Sequence, residues 1–217
     1  MVMNPWLAKF QRALVLCAHT DDEYGCAGTI VRLLQAGVEV RYVALSRCEA
    51  SVPPPYAEDI LESECRRCTA ALGIQANLVE VLRYPVRHFP AQRQEILEYL
   101  VQLRREYAPE LVLLPSSFDT HQDHATVYAE GFRAFKHSSI LGYELPQNLI
   151  SFDNTAFVKL TEITLQKKIE ALAHYQSQRF RNYSAQDFIR SLAYVRGTQC
   201  NSDTQFAEAF EVVRLII

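Results

Sequence analysis

No apolar run in this 217-residue sequence approaches the roughly eighteen residues needed to cross a bilayer, so membrane insertion is not expected. Residues 1–11 carry Trp6 and Phe10 but no long apolar core followed by a small-residue cleavage site, and a signal peptide is not expected either. Charge of one sign is also missing. A formal net charge of −3 and a pI near 6.1 give no bulk attraction for a phosphate backbone or an anionic membrane, which makes nucleic acid an unexpected partner. The six cysteines lack framework spacing, which fits free thiols in a reducing compartment and hence a cytoplasmic protein. Gly25 and Gly28 follow the first apolar run, yet they do not form G-x-G-x-x-G, and a dinucleotide cofactor is disfavoured. No repeat, low-complexity tract or linker divides the chain. What is present is an ordinary globular composition, 49% hydrophobic and 22% charged, long enough for one domain with a substantial core.

The first two-thirds of the chain alternate short apolar runs with longer amphipathic segments. This is the pattern of a parallel sheet with helical crossovers, an α/β fold. Residues 13–18, 38–45, 78–82 and 111–115 are the expected strands. Residues 24–35, 57–72 and 91–107 place apolar side chains three and four apart and are expected as helices on the sheet. Gly37 and Gly73 fall just past two of these helices, where a left-handed residue is usual. Further on, 125–135 reads as a helix, 139–143 as a short strand, 149–152 and 156–159 as weaker strands, and 162–175 as a helix; 206–217 is too mixed to assign. Val52-Pro53-Pro54-Pro55 cannot be helical and reads as a loop bordering the sheet edge that follows the strands.

Two clusters sit at that edge. His19-Thr20-Asp21-Asp22-Glu23 directly follows the first apolar run, and His121-Gln122-Asp123-His124 follows the run at 111–115. Each has a bland reading. Thr20 with Glu23, and Thr120 with Asp123, match a capping box, and acids are favoured in a first helical turn anyway. Capping does not explain why both histidine clusters fall where open α/β sheets hold their ligands. If the clusters meet, His19, Asp22 and His124 supply two imidazoles and a carboxylate to one divalent ion and leave a fourth position open, as catalytic zinc sites do. Such an ion polarises a carbonyl and lowers the pKa of water. Iron, cobalt or nickel suit the same donors. Asp21 would then point away from the metal and serve as general base. His121 could donate to an oxyanion, with Asp123 fixing its tautomer or keeping it protonated.

The pentad and tetrad together resemble the PIG-L/LmbE family of zinc-dependent N-deacetylases, whose members carry a histidine-proline-aspartate-aspartate-glutamate and a histidine-x-aspartate-histidine motif. Glu64 with Leu72-Gly73, Lys168 through His174 with Ser177-Gln178, and Arg196-Gly197 with Ala207-Glu208-Ala209-Phe210 extend the similarity along nearly the whole chain. The resemblance implies a Rossmann-like, mostly parallel sheet with helices on both faces, formed by residues 1–217 as a single LmbE-like domain. It further implies hydrolysis of the acetamide of an amino sugar such as N-acetylglucosamine, free or conjugated, with a small-molecule substrate as partner and a homo-oligomer compatible with the sequence. By position it assigns zinc to His19, Asp22 and His124, the base to Asp21 and the oxyanion donor to His121, and gives Glu23 and Glu208 supporting roles.

Two departures stand out. Thr20 replaces the family's proline and is expected to cap the following helix. Leu61 stands where many relatives carry a sugar-binding arginine; either Arg47, Arg66 or Arg67 substitutes for it, or the substrate differs. Rival readings are an amidase for another amide, such as an amino-sugar thiol conjugate, and a catalytically idle sugar-binding protein of the same fold. Cys65 and Cys68 read as ordinary thiols, and His88 as a solvated loop residue.

Overall fold

Ala13, Val15 and Cys17 pack into one apolar core while Leu14, Leu16 and Ala18 pack into another, because successive side chains of a strand point to opposite faces. The strand β1 (Arg12–Cys17) is therefore buried on both sides, which is why it reads as a continuous apolar run instead of an alternating one. Each buried leucine of this kind contributes about 1.5–3 kcal/mol relative to exposure. The computed structural model describes residues 5–216; the first four residues of the amino-terminal segment, and Ile217, lie outside them.

β2 (Glu39–Ala44), β3 (Val79–Val81), β4 (Leu111–Pro115) and β5 (Ser139–Tyr143) run parallel to β1. β6 (Ala156–Leu160) and β7 (Phe206–Arg214) complete a seven-stranded sheet of order β3-β2-β1-β4-β5-β7-β6, in which β7 is antiparallel to both of its neighbours. The helices α1 (Ala27–Gln35), α2 (Ile60–Leu72) and α5 (Glu162–Leu172) contribute to one core. α3 (Arg93–Tyr107) and α4 (Gln122–Ala134) contribute to the other. This is the expected Rossmann-like α/β fold. The chain leaves β1 toward β2 on one side and reaches β4 on the other, so the carboxyl ends of β1 and β4 flank the point where strand order reverses. Open α/β sheets bind ligands in that crevice.

Gly37 and Gly73 do take positive φ, 82° and 105°, just past α1 and α2. Several expected elements change. Instead of a helix from residue 24, Asp22–Gly25 forms a 3-10 turn and α1 starts at Ala27. The shift occurs because Glu23 is drawn into the core by the hydroxyls of Tyr42 and Tyr175, which donate to its carboxyl at 2.9 and 2.6 Å. Residues 149–152 form no strand; Leu149 makes one isolated bridge to Asp119. The unassigned stretch from 206 is the nine-residue β7, and α6 (Gln186–Gln199), missing from the sequence reading, packs against it.

Glu208 on β7 explains how α1 begins without a cap of its own. Its carboxylate accepts from the backbone N–H groups of Gly28 and Thr29 at 2.8 and 2.6 Å and from the Thr29 hydroxyl at 2.6 Å. Lys168 on α5 donates to the same carboxylate at 2.6 Å, with both side chains buried. The approach needs a glycine: a Cβ at Gly28 would lie 2.6 Å from Leu160 Cδ1 and 3.0 Å from Glu208 Oε1. Glu64 on α2 likewise accepts from Ser177, at 3.0 Å from its N–H and 2.6 Å from its hydroxyl. The three weaker family-like segments are thus partners in space: two buried carboxylates, each tied to the segment that follows α5 or to α5 itself.

Candidate metal centre

β1 delivers His19 and Asp22 to the crevice, and β4 delivers His124 on the first turn of α4. His19 Nδ1 lies 3.6 Å from Asp22 Oδ1, His124 Nε2 lies 3.3 Å from the same oxygen, and the two nitrogens are 2.9 Å apart. Two ligand bonds of 2.0–2.1 Å at a tetrahedral angle place donor atoms about 3.3 Å apart. The three donors therefore have the spacing of one coordination sphere. All three residues are buried.

Each imidazole has a carboxylate behind it. His19 Nε2 faces Asp123 Oδ2 at 3.1 Å and His124 Nδ1 faces Asp119 Oδ2 at 2.7 Å. These contacts fix each ring's tautomer and aim the other nitrogen at the shared point, the usual backing of a metal-bound histidine. The donor set is starved of positive charge. Burial alone would lower His124, but the charges and hydrogen bonds of Asp22 and Asp119 outweigh it and push it up to about 10. Burial would raise Asp22, yet His124 and His19 hold it well below the usual carboxylate range. Two imidazoles and a carboxylate facing one point, each imidazole backed by a second carboxylate, are a donor set that fits a divalent ion. One nitrogen of His121 also lies within 4.8 Å of those of His19 and His124, a looser gathering than the one Asp22 completes.

Asp119 was not singled out from sequence. It also accepts from the backbone N–H of His121 at 2.9 Å and from Asn148 Nδ2 at 3.3 Å. The available signal was an aspartate five residues ahead of a candidate histidine ligand, at a helix entrance.

The capping-box reading is overturned at both clusters. Thr20 Oγ1 is buried with no hydrogen-bond partner among the described residues, while the Thr20 carbonyl accepts from the hydroxyls of Tyr42 and Tyr175. Thr120 donates its hydroxyl to the Asn148 carbonyl. At α4 the cap is His121 itself, whose Nδ1 accepts from the Asp123 N–H at 3.1 Å.

This corrects the expected partnership of Asp123 with His121. The Asp123 carboxylate turns away from that ring toward His19 and also accepts from the N–H groups of Arg87 and Phe89, at 2.5 and 3.2 Å. Backbone geometry fixes the His121 tautomer instead. An Nδ1 that accepts leaves the ring proton on Nε2. Burial and the neighbouring His124 and His19 push the His121 imidazole down from its ordinary value. Asp21 is shifted the other way: burial and the charge of Asp22 raise it, partly offset by His19 and Arg181.

Asp21, Asp22, His19, His121 and His124 all line one pocket. Its walls include Cys48 and Ser51 ahead of the proline loop, Leu61 of α2, and Asn148 and Tyr183. Arg47, Arg66 and Arg67 do not line it. Arg47 pairs with Glu49, Arg66 with Glu62, and Arg67 donates to Ser63. The arginines that do reach the pocket are Arg87 and Arg181, from loops that carried no periodic signal. Cys65 and Cys68 are buried free thiols, and His88 is exposed, as expected.

Fold and donor set together define a class: a Rossmann-like α/β protein whose crevice suits a divalent ion. Comparison with known proteins narrows this. The model of the PIG-L family, described as GlcNAc-PI de-N-acetylase, matches residues 14–135, and the chain belongs to that family. It is 26% identical over 173 residues to the uncharacterized deacetylase YaiS of Escherichia coli, covering 76% of this chain and 90% of that protein. N,N'-diacetylchitobiose deacetylase from Pyrococcus horikoshii superposes with a TM-score of 0.79 at 20% identity, covering 97% of this chain and 86% of that one. GalB, the 4-carboxy-2-hydroxymuconate hydratase of Pseudomonas putida, superposes with a TM-score of 0.74 at 19% identity, covering 95% and 98%. The same fold therefore carries a hydration as well as deacetylations, and the reaction has to be argued from the site.

Proposed function

We propose that this chain is a metal-dependent amidohydrolase that removes the acetyl group from an N-acetylated amino sugar or a conjugate of one. The observation that carries the reading is the convergence of His19 Nδ1, Asp22 Oδ1 and His124 Nε2 to within 2.9–3.6 Å, in a pocket that also contains an uncommitted acid, Asp21, and the ring of His121. Family membership and the deacetylase relatives support the same chemistry. His19, Asp22 and His124 would hold the ion, zinc by preference; when bound it supplies Lewis acidity toward a carbonyl and toward water.

The remaining steps belong to the chain. Asp21 takes a proton from the water that adds to the acetamide carbon. His121 donates its Nε2 proton as a hydrogen bond to the carbonyl oxygen as negative charge gathers there. When the tetrahedral species collapses, the C–N bond breaks and Asp21 returns its proton to the departing nitrogen, giving acetate and a free amine. Asp119 and Asp123 do not touch the reacting atoms. They position His124 and His19.

Asp21→Ala tests the assignment. The variant should keep its metal stoichiometry, measured by elemental analysis, and lose acetate release by roughly 10²–10⁴-fold. A near-normal rate would remove Asp21 as the base. Loss of metal would move it into the coordination sphere. Release of acid from thiol conjugates but not from acetylated sugars would favour another amide. A metal-loaded protein that hydrolyses neither would be the idle binder.

A further inference from the structure

We infer that the pocket holds an anion-binding subsite, built by Arg87 and Arg181, and that the substrate carries a phosphate or carboxylate group besides its acetamide. The inference rests on the deacetylase reading only for the choice of substrates.

Both guanidinium residues line the same pocket as the His19–Asp22–His124 triad. Neither has a carboxylate within ion-pair distance among the described residues, in contrast to Arg47, Arg66 and Arg196, which pair with glutamates. Arg181 is held ready. Its Nε donates to Gln178 Oε1 at 2.6 Å, and Gln178, itself buried, donates from Nε2 to the Ser177 hydroxyl at 3.2 Å. Ser177 in turn is fixed by the buried Glu64. With Nε committed to this chain, the terminal nitrogens of Arg181 remain for a ligand, in the fork geometry that matches phosphate and carboxylate oxygens. The guanidinium carbon lies 5.1 Å from the ring centre of Phe180 and 5.8 Å from that of Tyr183, which restricts its swing.

Arg87 lines the same pocket. Its backbone sits at φ 72° and its N–H is fixed by the Asp123 carboxylate, so the residue is anchored to the network that aims His19. Its side chain has a single hydrogen bond, from Nη2 to the Ser51 hydroxyl at 3.4 Å, and Ser51 lines the pocket too. Two arginines without a carboxylate partner among the described residues, one of them held by Gln178, on a cavity that Leu61 leaves without a charge on the α2 wall describe a site for an anionic substituent.

The alternative is that Arg181 serves only Asp21, whose charge it faces. The experiment separates the two. Acetate release is measured on N-acetylglucosamine, N-acetylglucosamine 6-phosphate and the carboxylate-bearing N-acetylmuramic acid, for the wild type, Arg87→Gln and Arg181→Gln. Binding of glucosamine 6-phosphate and of inorganic phosphate is followed by calorimetry. Expected is a preference, in kcat/KM, for one anionic substrate over the neutral one. Each substitution should cut that preference about 10- to 100-fold, mainly through KM, and weaken glucosamine 6-phosphate binding in step. A response to the phosphate ester but not to the carboxylate, or the reverse, identifies the group. Equal kcat/KM for neutral and anionic substrates overturns the subsite. So does a uniform fall in kcat on all substrates in Arg181→Gln, and so does the absence of arginine-dependent binding. Arginine-dependent binding with no acetate released from any substrate would keep the subsite and sink the deacetylase reading.

Discussion

The two clusters that meet at the crevice are held in opposite ways. The cluster after β4 is built locally: Asp119 accepts from the His121 backbone and steadies His124, and His121 caps the helix that carries both. The cluster after β1 is built from afar. Its 3-10 turn takes shape because Tyr42 and Tyr175 reach it from β2 and from beyond α5, and because Glu208 of β7 caps α1 behind it. One half of the site is a helix start with a function; the other is a loop whose geometry belongs to the whole sheet.

The largest expected effect tests whether the halves are equal partners at the ion. Asp22→Ala should lose both bound metal and turnover, beyond the roughly 10⁴-fold upper range of a missing general base. If metal stays bound, the three histidines suffice and His121 is a ligand. Next comes the remote support. Lys168→Met leaves the Glu208 carboxylate buried without its ion and should cost about 3–5 kcal/mol in denaturant unfolding. A smaller loss would mean that the α1 cap alone satisfies Glu208.

Within the local half, His121→Ala and His121→Asn should each reduce kcat by roughly 10²–10³-fold, as removal of an oxyanion donor does. They should differ in stability by about 1 kcal/mol in favour of asparagine, which can cap a helix where alanine cannot. Equal melting temperatures would detach the cap from the histidine. Smallest is Asp119→Asn, expected to weaken metal affinity about 10- to 100-fold with little change in fold. An unchanged affinity would make the Asp119–His124 contact ornamental.

The same contrast governs what could be read from the chain. β4 and β5 fall on the residues expected, because fully buried parallel strands leave continuous apolar runs. The meeting of His19, Asp22 and His124 was legible because parallel strands point their carboxyl ends to one edge. Illegible were the contacts between segments distant in sequence. Nothing local to Glu208 says that it caps a helix 180 residues earlier, and nothing local to Thr20 says that its hydroxyl will find no partner among the described residues. Asp123 was paired with the wrong histidine because His121 is its neighbour in sequence; two positions apart on a helix the side chains do not face each other, and the tertiary fold brings Asp123 to His19 instead. Arg87 and Arg181 escaped notice for the same reason: they sit on turns, where position in space owes little to periodicity.

The placement of β7 inside the sheet, between β5 and β6, bears on how the molecule is made. A ribosome emits this strand after every other one, so β5 and β6 wait with open hydrogen-bonding edges until it arrives. Glu208 comes with it, and only then does the turn after β1 gain its distant brace. His19 and Asp22 are synthesised early, and the turn that carries them is braced last.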